Sequence, residues 1–62
     1  MKIKIEFSCD NAAFGDDDAA AFCAEVSRIL HEAADKFCHG HAFFPVRDVN
    51  GNVIGRAELE EF

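Results

Sequence analysis

The amino-terminal residues alternate apolar and charged side chains. Residues Lys2–Phe7 read KIKIEF, and successive side chains of an extended chain point to opposite faces. The pattern therefore predicts a half-buried strand with two isoleucines and a phenylalanine on its inner face. Small polar residues dominate Ser8–Gly15, which favours a loop because such side chains satisfy nearby backbone groups.

An amphipathic helix is predicted next. Apolar residues recur every three or four positions from Ala19 to Phe37, which is the spacing of one helical stripe. Asp16, Asp17 and Asp18 precede this stripe and offer carboxylates for the first free N–H groups. Gly40 suits the left-handed conformation that ends many helices, so the predicted helix runs from Asp16 to His39. We expect its charged residues to face water; these are Glu25, Arg28, Glu32, Asp35 and Lys36.

A hairpin is predicted at the carboxyl end. Asn50-Gly51 separates two apolar runs, Phe43–Val49 and Asn52–Glu60, and this dipeptide favours a two-residue turn. A type I turn beginning at Asp48, with a glycine bulge, fits the same residues and shifts the register by one residue. Both registers remain open at this point. Pro45 lacks an N–H donor, which places its strand at a sheet edge.

These elements predict an α+β fold in the order β-α-β-β. We expect one helix packed on a three-stranded antiparallel sheet of order 1-3-2, in two layers and a single domain over residues 1–62. The helix stripe is expected to bury one face of the sheet. The sheet residues of that expected core are Ile3, Ile5, Phe7, Phe44, Val46, Val53 and Leu59.

The net charge of the chain makes some classes of binding partner unfavourable. Twelve acidic and six basic residues give a net charge of -6 and a pI near 4.7, which disfavours direct binding to phosphate backbones. No run of 18 apolar residues exists, and the alternating amino end lacks the apolar stretch of a signal peptide. We therefore expect a soluble intracellular protein without membrane contact. Its three cysteines, Cys9, Cys23 and Cys38, are expected to be reduced thiols.

Motifs for catalysis or metal binding are weak. A calcium loop beginning at Asp10 fails because its third, fifth and twelfth positions hold Ala12, Phe14 and Ala21. The possible zinc ligands lack paired spacing; they are His31, Cys38, His39 and His41. No residue is placed to orient a histidine base beside Cys38, and no phosphate-binding glycine loop is present. We expect no enzymatic activity, no metal site and no cofactor.

The acidic residues cluster along the chain. One group surrounds the end of the first strand and the start of the helix, and it continues along the helix through Glu25, Glu32 and Asp35. A row of carboxylates can imitate DNA phosphates for a protein with a basic groove. Helix caps and solvated faces are also ordinarily acidic, so the same charges fit a role in solubility alone.

The sequence resembles the small acidic proteins encoded by bacteriophages and mobile elements. The similar segments are the opening MKIKIEFSCDNAAF, the helix ending near Lys36, and the closing VRDVNGNVIGRAE. Among these proteins it most resembles the anti-CRISPR proteins that block type I interference complexes. The resemblance implies inhibition by binding, in the host bacterial cytoplasm, at the DNA-recognition surface of the effector complex.

Two hypotheses of function follow. The first is an anti-CRISPR inhibitor that presents carboxylates, as an acidic DNA mimic, to a type I CRISPR effector subunit. Its candidate contacts are Asp10, Asp16, Asp17, Asp18, Glu25 and Glu32. The alternative is a homodimeric structural or interaction module that pairs through Phe43, Val49, Ile54 or an exposed strand edge.

Overall fold

The structure is a computed structural model that describes residues 1–15 and 17–61. Strand β1 (Lys2–Phe7) is followed by a 3₁₀ turn (Ala12–Phe14) and helix α1 (Ala19–Cys38). Strands β2 (Phe43–Arg47) and β3 (Val53–Glu60) complete one antiparallel sheet in the order β1-β3-β2. The predicted α+β fold and strand order are confirmed.

Helix α1 begins later than its sequence pattern predicted. Asp18 is the N-cap, and its Oδ1 accepts hydrogen bonds from the N–H groups of Ala20 and Ala21 at 3.0 and 3.2 Å. The predicted first residue, Asp16, lies outside the described residues. At the other end Gly40 has φ +90°, and the N–H of His41 donates to the carbonyl of Lys36. This is the Schellman arrangement that ends a helix.

The hairpin adopts the type I alternative. The N–H of Gly51 donates to the carbonyl of Asp48 at 3.0 Å, and Gly51 has φ +85°. The N–H of Asp48 donates in turn to the carbonyl of Asn52 at 2.9 Å. A loop of three residues with glycine in the left-handed region therefore joins the strands. Both strands are shorter at the turn than predicted, since β2 ends at Arg47 and β3 begins at Val53.

A bulge and a glycine shape the middle of the sheet. Val46 pairs with Gly55 and Arg47 pairs with Val53, which leaves Ile54 as an extra residue of β3. Gly55 also lies opposite Phe7 of β1. A Cβ at position 55 would stand 1.9 Å from the carbonyl oxygen of Glu6. Only a residue without a side chain allows β1 to approach β3 so closely.

The core lies between α1 and the half of the sheet nearer β2. The fully buried apolar residues are Phe14, Ile29, Ala33, Phe44, Val46 and Ala57. Phe14, only 1% exposed, belongs to the loop and not to a regular element predicted from the sequence. Its ring centroid lies 6.4 Å from that of Phe7 and 6.1 Å from that of Phe22. The loop therefore closes one end of the core with its own aromatic side chain.

The core is smaller than the sequence pattern predicted. Ile3, Ile5 and Val53 were expected inside, but their exposed fractions are 54%, 36% and 58%. Helix α1 contacts the sheet mainly through β2, and the two isoleucines on the helix side of β1 stay exposed. The radius of gyration is 12.3 Å, against about 10.6 Å for a compact chain of this length. The molecule is accordingly elongated, with principal extents of 41 × 17 × 16 Å.

Candidate functional site

A buried aspartate joins the hairpin turn to the loop after β1. Asp48 is 3% exposed, and its Oδ1 accepts hydrogen bonds from the N–H groups of Asn50 and Asn52, each at 2.9 Å. Its Oδ2 accepts from the side-chain amides of Asn11 at 2.7 Å and Asn52 at 3.1 Å. The contact with Asn11 spans 37 positions in sequence. It therefore holds the loop after β1 against the hairpin.

The same contacts set the charge of Asp48. Burial alone raises the pKa of this carboxyl, but the hydrogen bonds from Asn52, Asn50 and Asn11 together outweigh it and hold the pKa below its usual value. The group is thus an ionised carboxylate whose lone pairs are used within the protein. Its role is to fix the turn and the loop, and it is not offered to a ligand.

A second buried carboxylate attaches helix α1 to the hairpin. Glu25 is 6% exposed, which corrects the expectation that it faces water. Its Oε1 accepts from Nε of Arg28 at 2.6 Å, and its Oε2 accepts from the N–H of Val49 at 2.9 Å. The hydrogen bond from Arg28 is the main reason that the pKa of Glu25 is lowered. Arg28 also donates to the carbonyl of Arg47 at 3.0 Å, so one guanidinium connects the helix to β2.

Glu32 takes part in the same ion-pair network. Its Oε2 accepts from Nη1 of Arg28 at 2.7 Å, and its Oε1 lies 3.9 Å from Nζ of Lys36. Glu25 and Glu32, the two candidate contacts on the helix, are therefore neutralised by neighbouring cations. Neither carries an unbalanced negative charge at the surface.

The candidate contacts that precede the helix differ from Glu25 and Glu32 in their surroundings. Asp10, Asp17 and Asp18 are all exposed, and within residues 1–15 and 17–61 none of them has a cationic partner. Asp10 accepts a hydrogen bond from the hydroxyl of Ser8 at 3.1 Å, and Asp18 caps α1. We call these three residues the acidic loop. Asp16 belongs to the same stretch of sequence but lies outside the described residues.

The histidines and Cys38 do not assemble into a metal site. His31 Nδ1 lies 3.3 Å from the hydroxyl of Ser27, and His39 Nδ1 lies 2.7 Å from the carbonyl oxygen of Asp35. Over the described ranges, no group of three or more His, Cys, Asp or Glu side chains is arranged to hold a metal ion. Nor does the described part contain a helix with the length and apolar character needed to cross a bilayer.

A surface of exposed apolar side chains lies on the side of α1 opposite Glu25 and Arg28. Going round the helix from Ile29, which faces the core, Glu25 and Arg28 lie toward β2, while Val26 and Leu30 lie on the other side. Phe22 and Leu30 are 43% and 45% exposed and lie with Cys23 and Val26 on one open, largely apolar surface of this helix. This flank lies on the side of the helix away from β2.

Strand β1 contributes to the same open side. Ile3 lies opposite Leu59, and Ile5 lies opposite Ala57, a residue of the core. Directly opposite residues share a face of the sheet, so both isoleucines point toward the helix side without being covered. We define Ile3, Ile5, Phe22 and Leu30 as the open apolar face.

Sequence reasoning missed the residues that position the acidic loop. Asp48 stands at the first position of a type I turn, where aspartate is favoured, so its turn contacts had a readable signal. Nothing in the sequence indicated the roles of its partner Asn11 and of the buried Phe14, because both depend on the loop folding back over the end of the core.

Comparisons of the chain with protein-family models, curated proteins and solved structures found no match in any of the three.

Proposed function

We propose that the protein is an anti-CRISPR inhibitor, which acts in the host bacterial cytoplasm by binding a type I CRISPR effector complex. It acts without catalysis and without a cofactor. The acidic loop occupies a basic surface that otherwise receives DNA. The observation that carries the proposal is the exposure of Asp10, Asp17 and Asp18, which have no cationic partner among the residues that the structure describes. The resemblance of the sequence to small acidic phage proteins supplies the class of partner.

The contacts around the loop support this role. An inhibitor that presents charge needs its carboxylates held in place, because ordering a mobile loop on binding reduces affinity. The hydrogen bond from Asn11 to Asp48 and the burial of Phe14 fix the segment between Asp10 and Asp17. The proposal accordingly rests on Asp10, Asp17 and Asp18. Glu25 and Glu32 serve the ion-pair network of Arg28 instead.

Neutralisation of the loop tests the proposal. The double variant Asp10→Asn and Asp17→Asn removes two charges, keeps side-chain shape and leaves the helix cap intact. We expect roughly thirtyfold weaker binding to a susceptible type I effector complex, since two exposed charges that each contribute on the order of 1 kcal/mol at a complementary interface together change the binding free energy by about 2 kcal/mol. Binding should also weaken as salt rises, because the charges are screened.

The matched control removes the same charge elsewhere. Asp35→Asn with Glu61→Gln lowers the negative charge by two at exposed positions outside the loop, and this variant should inhibit as the wild type does. The measurement is competition with double-stranded target DNA across a panel of purified type I complexes. Equal inhibition by both double variants, or no binding to any complex in the panel, would reject the proposal.

A further inference from the structure

We propose that two copies of this chain associate through the outer edge of β1, which forms a six-stranded sheet and brings the open apolar faces of both copies side by side on one face of that sheet. This association goes beyond the proposed inhibition and does not use the acidic loop. It follows from the uncovered surface, the backbone groups at the edge of β1, and the order of side chains along that strand.

The chain leaves more surface exposed than its size predicts. The accessible surface is 4339 Å², whereas a monomer of 6.8 kDa is expected to expose about 3,950 Å². The apolar part of that surface includes the open apolar face, whose four members are each at least 36% exposed. Apolar side chains left this exposed on the helix side of the sheet are candidates for an interaction site.

Strand β1 offers unpaired backbone groups along the same side. The N–H of Ser8 donates to the carbonyl of Ile54 at 3.0 Å. Because antiparallel pairs alternate along a ladder, Lys2, Lys4 and Glu6 then bond to β3. The N–H of Leu59 donates away from β1, to the carbonyl of Ala42, which agrees with this alternation. The backbone groups of Ile3, Ile5 and Phe7 therefore point out of the sheet.

The side chains of β1 are complementary to themselves. If two antiparallel copies pair about a two-fold axis at Ile5, then Ile5 meets Ile5, and Ile3 meets Phe7 of the other copy. In this register Lys4 lies opposite Glu6 twice, so each cation faces an anion across the axis. A register centred on Lys4 would instead place two lysines together. The sequence of β1 thus favours a second copy in one register over a partner of unrelated sequence.

The other edge of the sheet is less suited to pairing. Strand β2 carries Pro45, which lacks a donor, and its ladder with β3 is interrupted by the bulge at Ile54. Phe43 and Val49, named in the sequence-based alternative, are exposed at 66% and 64%. Phe43 lies opposite Glu58, on the charged face of the sheet, and therefore apart from the open apolar face.

Sedimentation equilibrium tests the association. At about 100 μM, where a dimer with micromolar Kd is nearly complete, the wild type should sediment at twice the 6.8 kDa of one chain. Ile5→Pro removes an outward N–H and no bond to β3, so this variant should sediment as a single chain with a retained circular dichroism spectrum. Phe43→Ser, a matched loss of an exposed apolar side chain on the other face, should leave the dimer intact.

Amide hydrogen exchange tests the association through β1 even if Ile5→Pro does not fold. In the wild type, exchange at the Ile5 amide should slow as protein concentration rises, whereas the inward amide of Lys4 should be protected throughout. A wild type that sediments as one chain overturns the proposal. So does a dimer that survives Ile5→Pro, a dimer lost in Phe43→Ser, or an Ile5 exchange rate independent of concentration. None of these outcomes bears on the acidic loop, so the two proposals fail separately.

Discussion

Single residues without a polar or reactive side-chain group determine whether this fold can form. Gly55 is the clearest, because the main chain of β1 occupies the space where its side chain would lie. Phe14 is another, since it closes the core from a loop whose composition predicts only a turn. Neither role appears in a hydrophobic pattern, which records the polarity of a position and not how closely another segment approaches it.

Substitution of Gly55 should therefore be costly. Gly55→Ala places a methyl group against backbone atoms of Glu6 and Phe7 that cannot move without breaking the ladder, and we expect a loss of about 3 kcal/mol in the free energy of unfolding. Gly40→Ala is the comparison, because its methyl group meets open space and only the left-handed φ of +90° opposes it. That variant should lose about 1 kcal/mol. Equal urea midpoints for the two variants would contradict the steric account.

At the scale of elements, the helix start depends on one side chain. The side chain of Asp18 accepts hydrogen bonds from the N–H groups of Ala20 and Ala21 in the first turn of α1. Asp18→Ala should lower the free energy of unfolding by about 1 kcal/mol, because two N–H groups lose their acceptor. Asp35→Ala, an exposed position within the same helix, should change stability by less than about 0.5 kcal/mol. Urea unfolding followed by circular dichroism separates the two, and an unchanged midpoint for Asp18→Ala would remove the capping role.

The elements themselves were largely readable from the sequence. The alternation in Lys2–Phe7, the stripe in α1 and the turn residues around Gly51 predicted every strand, the helix and the strand order. The turn type could not be determined from the sequence, because Asn50-Gly51 fits two registers and the contacts of Asp48 in the structure select one. Burial was predicted less well. Ile3 and Leu30 have the spacing of core residues, but periodicity does not reveal how far a helix reaches across a sheet.

The candidate site could be predicted from the sequence only in part, because a sequence pattern does not show which distant segments come into contact. The aspartates of the acidic loop are visible as a cluster in the sequence. Glu25 has the same spacing as a solvated helix residue, yet it is buried because the hairpin turn places the N–H of Val49 within 2.9 Å of its carboxylate. Contacts between distant segments determine which acidic residues are structural and which face water.

At the scale of the whole molecule, the two buried carboxylates make stability depend on pH. Glu25 and Asp48 both have pKa values below those of the free side chains, 4.5 and 3.8. The unfolded chain therefore binds protons first as pH falls. Their contribution is complete above the unfolded pKa values and is lost as pH falls through the folded ones.

Acid titration of the urea midpoint measures this dependence. The midpoint should fall in the wild type as pH drops below the free-side-chain values of 4.5 and 3.8. Glu25→Gln should start from a lower midpoint and show a shallower decline, because one of the two carboxylates no longer titrates. Glu61→Gln, which touches neither hydrogen-bond network, should keep the wild-type slope. A wild-type slope in Glu25→Gln would mean that this carboxylate does not couple folding to pH.

The central position of β3 also governs when the protein can fold during its synthesis. Within residues 1–15 and 17–61, β1 and β2 both pair with β3, and β3 follows them both in the sequence. Strand β1, although made before the other strands, therefore gains its ladder partner among these elements only once β3 has been synthesised. The backbone groups of β1 that bond to β3 in the folded sheet wait for their partners until then, which makes chaperone binding most valuable at that stage.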